Sequence, residues 1–190
     1  MPQRNLKEQL VEGASRAFLE KGYHAASVAD IVAAAGIPKG SVYNHFGSKD
    51  DLALEVVRRY ANRNPLQDLI DGEGPPLARL RSYFAALIED RVDAGVELGC
   101  LLGNFSTELV GHSEPIREYV AEALDQWSSA VTTVLEQARD AGELRDGADP
   151  EALGSALVNA YEGDIARAKV SGDRAQLDGF LVTFDALVER

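Results

Sequence analysis

The chain has 190 residues, of which 45% are hydrophobic, and Ala and Leu fill 49 positions, a composition that suits a mostly helical domain, or a small module fused to a larger one. The apolar share excludes global disorder, and no apolar run approaches the roughly 18 residues of a membrane span. Cys100 is the single cysteine, which excludes an internal disulfide framework and a multi-cysteine zinc site. The formal net charge of −12 is uneven: residues 1–63 hold nine Lys/Arg against seven Asp/Glu, and residues 64–190 hold ten against 24. A mildly basic head on an acidic body steers a polyanion to the head.

Met1-Pro2-Gln3-Arg4-Asn5 runs into an amphipathic segment without an apolar leader, so a cytoplasmic protein is expected. Leu6, Leu10, Ala14, Ala17 and Phe18 recur at helical steps, and Gly22 closes that first helix. Ser27-Val28-Ala29-Asp30 is a capping-box pattern that opens a second, short helix with Val28, Ile31, Val32 and Ala35 inward. Gly36 permits a turn, and Pro38 suits the first turn of a third helix anchored by Val42 and Phe46. Ser48-Lys49-Asp50-Asp51 opens a fourth helix. Two short helices joined by a glycine-containing turn fit the helix-turn-helix plan, with the third helix as reader. Its outward residues, Lys39, Gly40, Ser41, Tyr43, Asn44 and His45, are small, hydrogen-bonding or cationic, and none is acidic.

Over residues 6–52 the chain resembles the DNA-binding domain of the tetracycline-repressor (TetR) family of bacterial transcription regulators. Gly36, the Lys39-Gly40-Ser41 step, Tyr43, Phe46, Lys49 and Leu52 carry the resemblance, in family order and spacing. Two positions depart from the pattern: Ser27 replaces the commoner threonine, and Pro38 sits where serine is common, so Pro38 receives no reading role. The resemblance implies that the third helix enters the major groove. It makes Lys39, Gly40, Ser41 and Asn44 base-edge candidates, and Ser27, Tyr43, His45 and Lys49 phosphate contacts. Domains are expected at 1–52 for DNA binding and 53–190 for ligand binding and dimerisation.

The body reads as further helices. The fourth continues to Tyr60, and Asn64-Pro65 ends it; Asp71 to Pro76 is a loop. A helix from about Leu77 carries Leu80, Tyr83, Phe84 and Leu87 toward Arg91, and a short one spans Gly99 to Leu109. Ser113-Glu114-Pro115 opens a long helix with Tyr119, Leu124, Trp127, Val131 and Leu135. Asp149-Pro150-Glu151 is a strong start signal for the next, which runs through Leu153, Leu157, Tyr161 and Ile165. The last carries Leu177, Phe180, Leu181, Phe184, Leu187 and Val188. The expectation is an all-α fold of about nine helices, without strands.

Gly99-Cys-Leu-Leu-Gly-Asn-Phe-Ser-Thr-Glu-Leu109 resembles a recurrent pattern in the ligand domains of one TetR subgroup, and Ala160-Tyr-Glu-Gly-Asp is a second, shorter match. Cys100, Asn104 and Glu108 fall at steps of four and form a polar stripe beside an apolar one, which suits a pocket with a few orienting groups. Tyr83, Phe84, Phe105, Trp127, Tyr161 and Glu162 are further lining candidates. Leu153, Leu157, Leu177, Phe180, Leu181 and Phe184 are the expected dimer face, where two helices meet their symmetry mates as a four-helix interface. Cys100 is weighed as a redox switch, but no Lys or Arg lies within a helical turn of it in sequence, and Glu97 lies three before.

No nucleophile elbow, Walker loop, dinucleotide turn or His-Glu-x-x-His motif is present, and His24, His45 and His112 are scattered. Neither an enzyme nor a cofactor or metal is expected. The sequence reads as a ligand-responsive repressor: a homodimer on double-stranded palindromic operator DNA, released by a small-molecule effector, with no membrane partner. The alternatives are a ligand-independent architectural or global DNA-binding protein, against which the acidic body argues, and a small-molecule enzyme, against which the missing motifs argue.

Overall fold

A computed structural model describes residues 5–38, 42–63 and 65–189. They form α1 (Leu6–Lys21), α2 (Val28–Ala35), α3 (Val42–His45), α4 (Lys49–Ala61), α5 (Leu66–Asp71), α6 (Pro76–Ala94), a 3-10 turn (Val96–Leu98), α7 (Leu101–Glu108), α8 (Glu114–Asp140), α9 (Pro150–Ser171) and α10 (Ala175–Val188). There is no strand among the described residues.

Local chemistry explains most boundaries. Ser27 caps α2 with the full capping box: its hydroxyl accepts from Asp30 N–H at 3.1 Å, and the Asp30 carboxylate accepts from Ser27 N–H at 2.8 Å. Gly36 ends α2 in the left-handed conformation, φ 68°, with its N–H on the Ala33 and Val32 carbonyls. Ser48 caps α4 by accepting from Asp51 N–H at 3.0 Å, and Asp149 caps α9 by accepting from Glu151 N–H at 3.1 Å.

The six-residue α5 lies where the sequence pattern is too short to display a helical period. Distant side chains complete its backbone. Arg79 donates to the carbonyls of Leu69 at 2.8 Å and Gly72 at 2.6 Å, and Gln137 donates to Ile70 at 3.2 Å.

Two compact units emerge: Met1–Arg63 with Leu101–Glu122, and Asn64–Cys100 with Ala123–Arg190. A boundary between residues 52 and 53 would cut α4, and the first unit also takes in α7 and the start of α8. The first unit buries Leu10, Phe18, Ile31, Val42, Leu52, Val57, Phe105 and Ile116. The second buries Leu80, Phe84, Ile88, Val131, Leu135, Leu157, Phe180 and Phe184. Its centre is Phe84, whose ring lies 4.9 Å from Phe180, 5.5 Å from Tyr161, 6.0 Å from Phe184 and 6.4 Å from Trp127.

The expected dimer residues fall largely into this core. Leu157, Leu177, Phe180 and Phe184 are buried within the unit itself, while Leu153 and Leu181 are half-buried. Gly154 is buried as well; a Cβ there would lie 2.1 Å from Thr132 Oγ1 of α8. The reason is geometric. A broad apolar stripe is consumed by whichever neighbour reaches it first, and here that is the same chain. The other face of α9 and α10 is open: Ala152, Ala156, Asn159, Gly163, Ala166 and Val170 recur at steps of four and three, all exposed. Gly179, Val182 and Ala186 do the same on α10, with Val182 70% exposed.

Candidate nucleic-acid interface and buried polar cluster

α3 is held from below by Val42 and Phe46, both buried, which leaves Tyr43, Asn44 and His45 facing out. Tyr43 is a large aromatic left 65% exposed. Lys39, Gly40 and Ser41 lie outside the described residues. Ser27 is exposed, but its hydroxyl already serves Asp30: it donates at 2.6 Å in addition to capping. Hydrogen bonds from Lys21, at 2.6 Å, and from Ser27 hold the Asp30 carboxyl well below the usual carboxylate range.

Lys49 is engaged within the unit. Its ammonium donates to the Tyr23 carbonyl and sits 4.1 Å from the centre of the Tyr23 ring. Desolvation lowers its pKa, with Asp50 and Glu108 acting the other way. A phosphate contact by Lys49 therefore competes with bonds the head already makes.

Glu108, read in sequence as a ligand candidate, is placed against the head. Its carboxylate accepts from Tyr23 N–H at 2.7 Å, and its carbonyl lies 3.2 Å from His24 Nε2. Gly22, at φ 76°, makes room: a Cβ there would lie 2.9 Å from both Glu108 carboxylate oxygens. The Tyr23 hydroxyl donates to Asp50, and burial followed by that bond pushes the phenol up. Phe105 also belongs to the first unit, with its ring 5.7 Å from Phe18 and 6.2 Å from Tyr23. Asn104 is half-buried in the same unit. Tyr23 and Asp50 have no site role in the sequence reading, because nothing local marks a tyrosine as the partner of a residue 85 positions away.

The second unit brings together Tyr83, Phe84, Cys100, Trp127, Tyr161 and Glu162. The Trp127 indole meets the Tyr161 ring edge-on at 5.7 Å. Its Nε1 is buried without a hydrogen-bond partner, although it lies close enough to the Tyr83 hydroxyl to perturb it. Burial pushes the Tyr83 phenol up. Glu162 Oε1 is likewise buried without a partner. Desolvation raises the Glu162 carboxyl, opposed by a hydrogen bond from the Cys100 thiol and by the Arg91 guanidinium. Arg91, 8% exposed, donates to the Gly99 carbonyl. It too has no site role in the sequence reading, since it is on a different helix from Glu162 and nine residues before Cys100. No group of three or more His, Cys, Asp and Glu among the described residues could hold a metal ion, and no described helix is long and apolar enough to cross a membrane.

Residues 10–56 match the bacterial regulatory proteins of the tetR family, and residues 76–184 match the tetracyclin repressor-like C-terminal domain. The chain is 37% identical over 187 residues to the HTH-type transcriptional repressor DhaR of Mycobacterium sp. (strain GP1), across 96% of this chain and 92% of that protein. It is 33% identical over 180 residues to the transcriptional regulator AcuR of Cereibacter sphaeroides, across 93% and 82% of the two. The crystal structure of regulatory protein TetR from Rhodobacter sphaeroides has the same fold, with a TM-score of 0.88 at 32% identity over 95% of this chain and 97% of that one. With a helix-turn-helix head and a helical body both matched, the chain belongs to the tetR family of bacterial regulatory proteins, the DNA-binding transcription regulators.

Proposed function

We propose that this regulator is a repressor that binds a palindromic operator as a homodimer and leaves it when a small molecule occupies its second unit. The observation that carries the reading is the α3 face: Val42 and Phe46 are sunk into the core, and Tyr43, Asn44 and His45 are presented to solvent. Asn44, with Lys39, Gly40 and Ser41 before it, reads base edges. Tyr43 and His45, with Ser27 and Lys49 behind them, meet phosphates. The repressor names of relatives such as DhaR support the sign of regulation.

A palindrome needs two reading helices about 34–36 Å apart, hence a two-fold dimer. The exposed seam of small residues on α9 and α10, from Ala152 to Val170 and around Val182, carries no Asp, Glu, Lys or Arg and suits a second copy of itself. The effector reading rests on the aromatic and polar side chains gathered in the second unit. Linkage makes the two sites reciprocal: whatever factor the effector costs DNA affinity, DNA costs effector affinity.

The test is a mobility-shift and footprinting experiment on the DNA flanking the protein's own gene. A protected palindrome bound by one dimer is expected. Tyr43→Phe and His45→Ala weaken all sequences alike, and Asn44→Ala changes base preference. Absence of saturable binding to that DNA overturns the reading.

A further inference from the structure

The three histidines are scattered in the sequence, and the fold brings two of them together. The ring centres of His24 and His112 stand 5.0 Å apart, with their planes at 82°. Both residues belong to the first unit and both are exposed, so core packing does not account for the meeting. Each sits on a hydrogen-bonded turn. His24 lies between α1 and α2, where Ala26 N–H donates to the Gly22 carbonyl at 3.1 Å. His112 lies between α7 and α8, with its own N–H on the Leu109 carbonyl at 2.9 Å. The backbones are held while the rings face water.

His24 Nε2 lies 3.2 Å from the Glu108 carbonyl oxygen. A carbonyl only accepts, so the ring donates there and Nδ1 keeps its lone pair. That is how metal-bound histidines are oriented: one nitrogen donates to a backbone carbonyl and the other is left to ligate. The exposed His112 ring turns about a soft χ2 torsion, which brings a nitrogen toward the same point. With metal–nitrogen bonds of about 2.0–2.1 Å at a tetrahedral angle, two imidazoles on one ion hold their ring centres about 5 Å apart. The observed pair already has that spacing.

We infer that His24 and His112 form a two-histidine site for a divalent first-row transition metal, Zn2+, Ni2+ or Cu2+, with water in the remaining positions. Imidazole suits these ions, whereas Mg2+ and Ca2+ take oxygen ligands. The net charge of −12 draws cations to the chain. Two protein ligands are fewer than the three or four that hold a resident zinc, so occupancy follows the metal concentration. An ion on both rings ties the turn before α2 to the turn after α7. It reinforces the contact in which the Glu108 carboxylate accepts from Tyr23 N–H, and by linkage it stabilises the first unit. This inference goes beyond the repressor reading and does not rest on it.

The experiment titrates the full, untagged chain with Zn2+, Ni2+, Cu2+ and Mg2+ by calorimetry at neutral pH. One Zn2+ per chain is expected. His24→Ala and His112→Ala each weaken it at least about tenfold, since one imidazole does not chelate. Saturating Zn2+ raises the melting temperature of the wild type and of neither variant. The Cu2+ form shows two coordinated nitrogens by electron paramagnetic resonance, a signature that carboxylates on the acidic body do not give. That spectrum is read on the wild type, so it decides even where a variant fails to fold. Zn2+ affinity kept in either single variant overturns the site. So does a site lost in His45→Ala and kept in His24→Ala, a Cu2+ spectrum without two nitrogens, or Mg2+ that competes equally with Zn2+.

Discussion

The two compact units treat their polar groups in opposite ways. In the first, Tyr23 is locked on three sides: its N–H on Glu108, its carbonyl under the Lys49 ammonium and its hydroxyl on Asp50. Ser27, Asp30 and Lys21 close a second local network. In the second, aromatic rings gather around Phe84, and two buried side-chain atoms, Trp127 Nε1 and Glu162 Oε1, make no hydrogen bond. A platform that must present a reading helix in one geometry gains from satisfied, mutually reinforcing bonds. A unit that must respond to a visitor gains from bonds left for the visitor to make.

The comparison breaks hardest at Phe84. Phe84→Ala empties a fully buried site among five other rings and costs about 3–5 kcal/mol, read as a lower denaturation midpoint. Next is Glu108→Ala, which strips the Tyr23 N–H of its acceptor and costs about 1–3 kcal/mol in the first unit. Operator affinity falls with it. Unchanged stability would show that Tyr23 N–H finds another partner and that the lock is dispensable.

Val182→Glu sharpens the comparison at the outer face. The side chain is exposed, so the fold should keep its stability to within about 0.5 kcal/mol, while light scattering shifts from dimer toward monomer. Phe184→Glu, two residues on but buried, should misfold instead. A dimeric Val182→Glu protein places the interface elsewhere.

The smallest effect is a pH dependence. Glu162 has a folded pKa above its ordinary 4.5 because burial disfavours the anion, with the Cys100 thiol and Arg91 opposing. The native state then holds the proton longer than the unfolded chain does. Stability contributed by this group is full below the unfolded pKa and is lost as pH rises through the folded one. Glu162→Gln should therefore flatten the decline of stability above pH 4.5 in a series of denaturation curves. Parallel curves for variant and wild type would place the carboxyl in a watered environment.

Much of the helical architecture was legible because its signals are local. Ser27, Ser48 and Asp149 cap helices within three residues of themselves, and Gly22 and Gly36 end them at positive φ. The resemblance of residues 6–52 to the family rested on the same short-range spacing, and the family match over residues 10–56 agrees with it. The partners of Glu108, Lys49 and Glu162 were not legible. Steps of four put Cys100, Asn104 and Glu108 on one stripe, yet Cys100 lies in the second unit and the other two in the first. A stripe records that a face is different, not what it meets.

The sequence by itself determined that this chain is helical, where most helices start, and that a helix-turn-helix head precedes a larger body. Those properties follow from backbone capping and a 3.6-residue period, which act over a few positions. Tertiary structure alone decided which face of α9 and α10 the chain keeps for its own core and which it leaves open around Val182. It also decided that α7 joins the head, that Arg91 stands beside Glu162, and that Glu162 Oε1 and Trp127 Nε1 are buried unpaired. Burial and hydrogen-bond satisfaction depend on every element that packs against a side chain, and no window of sequence contains those elements.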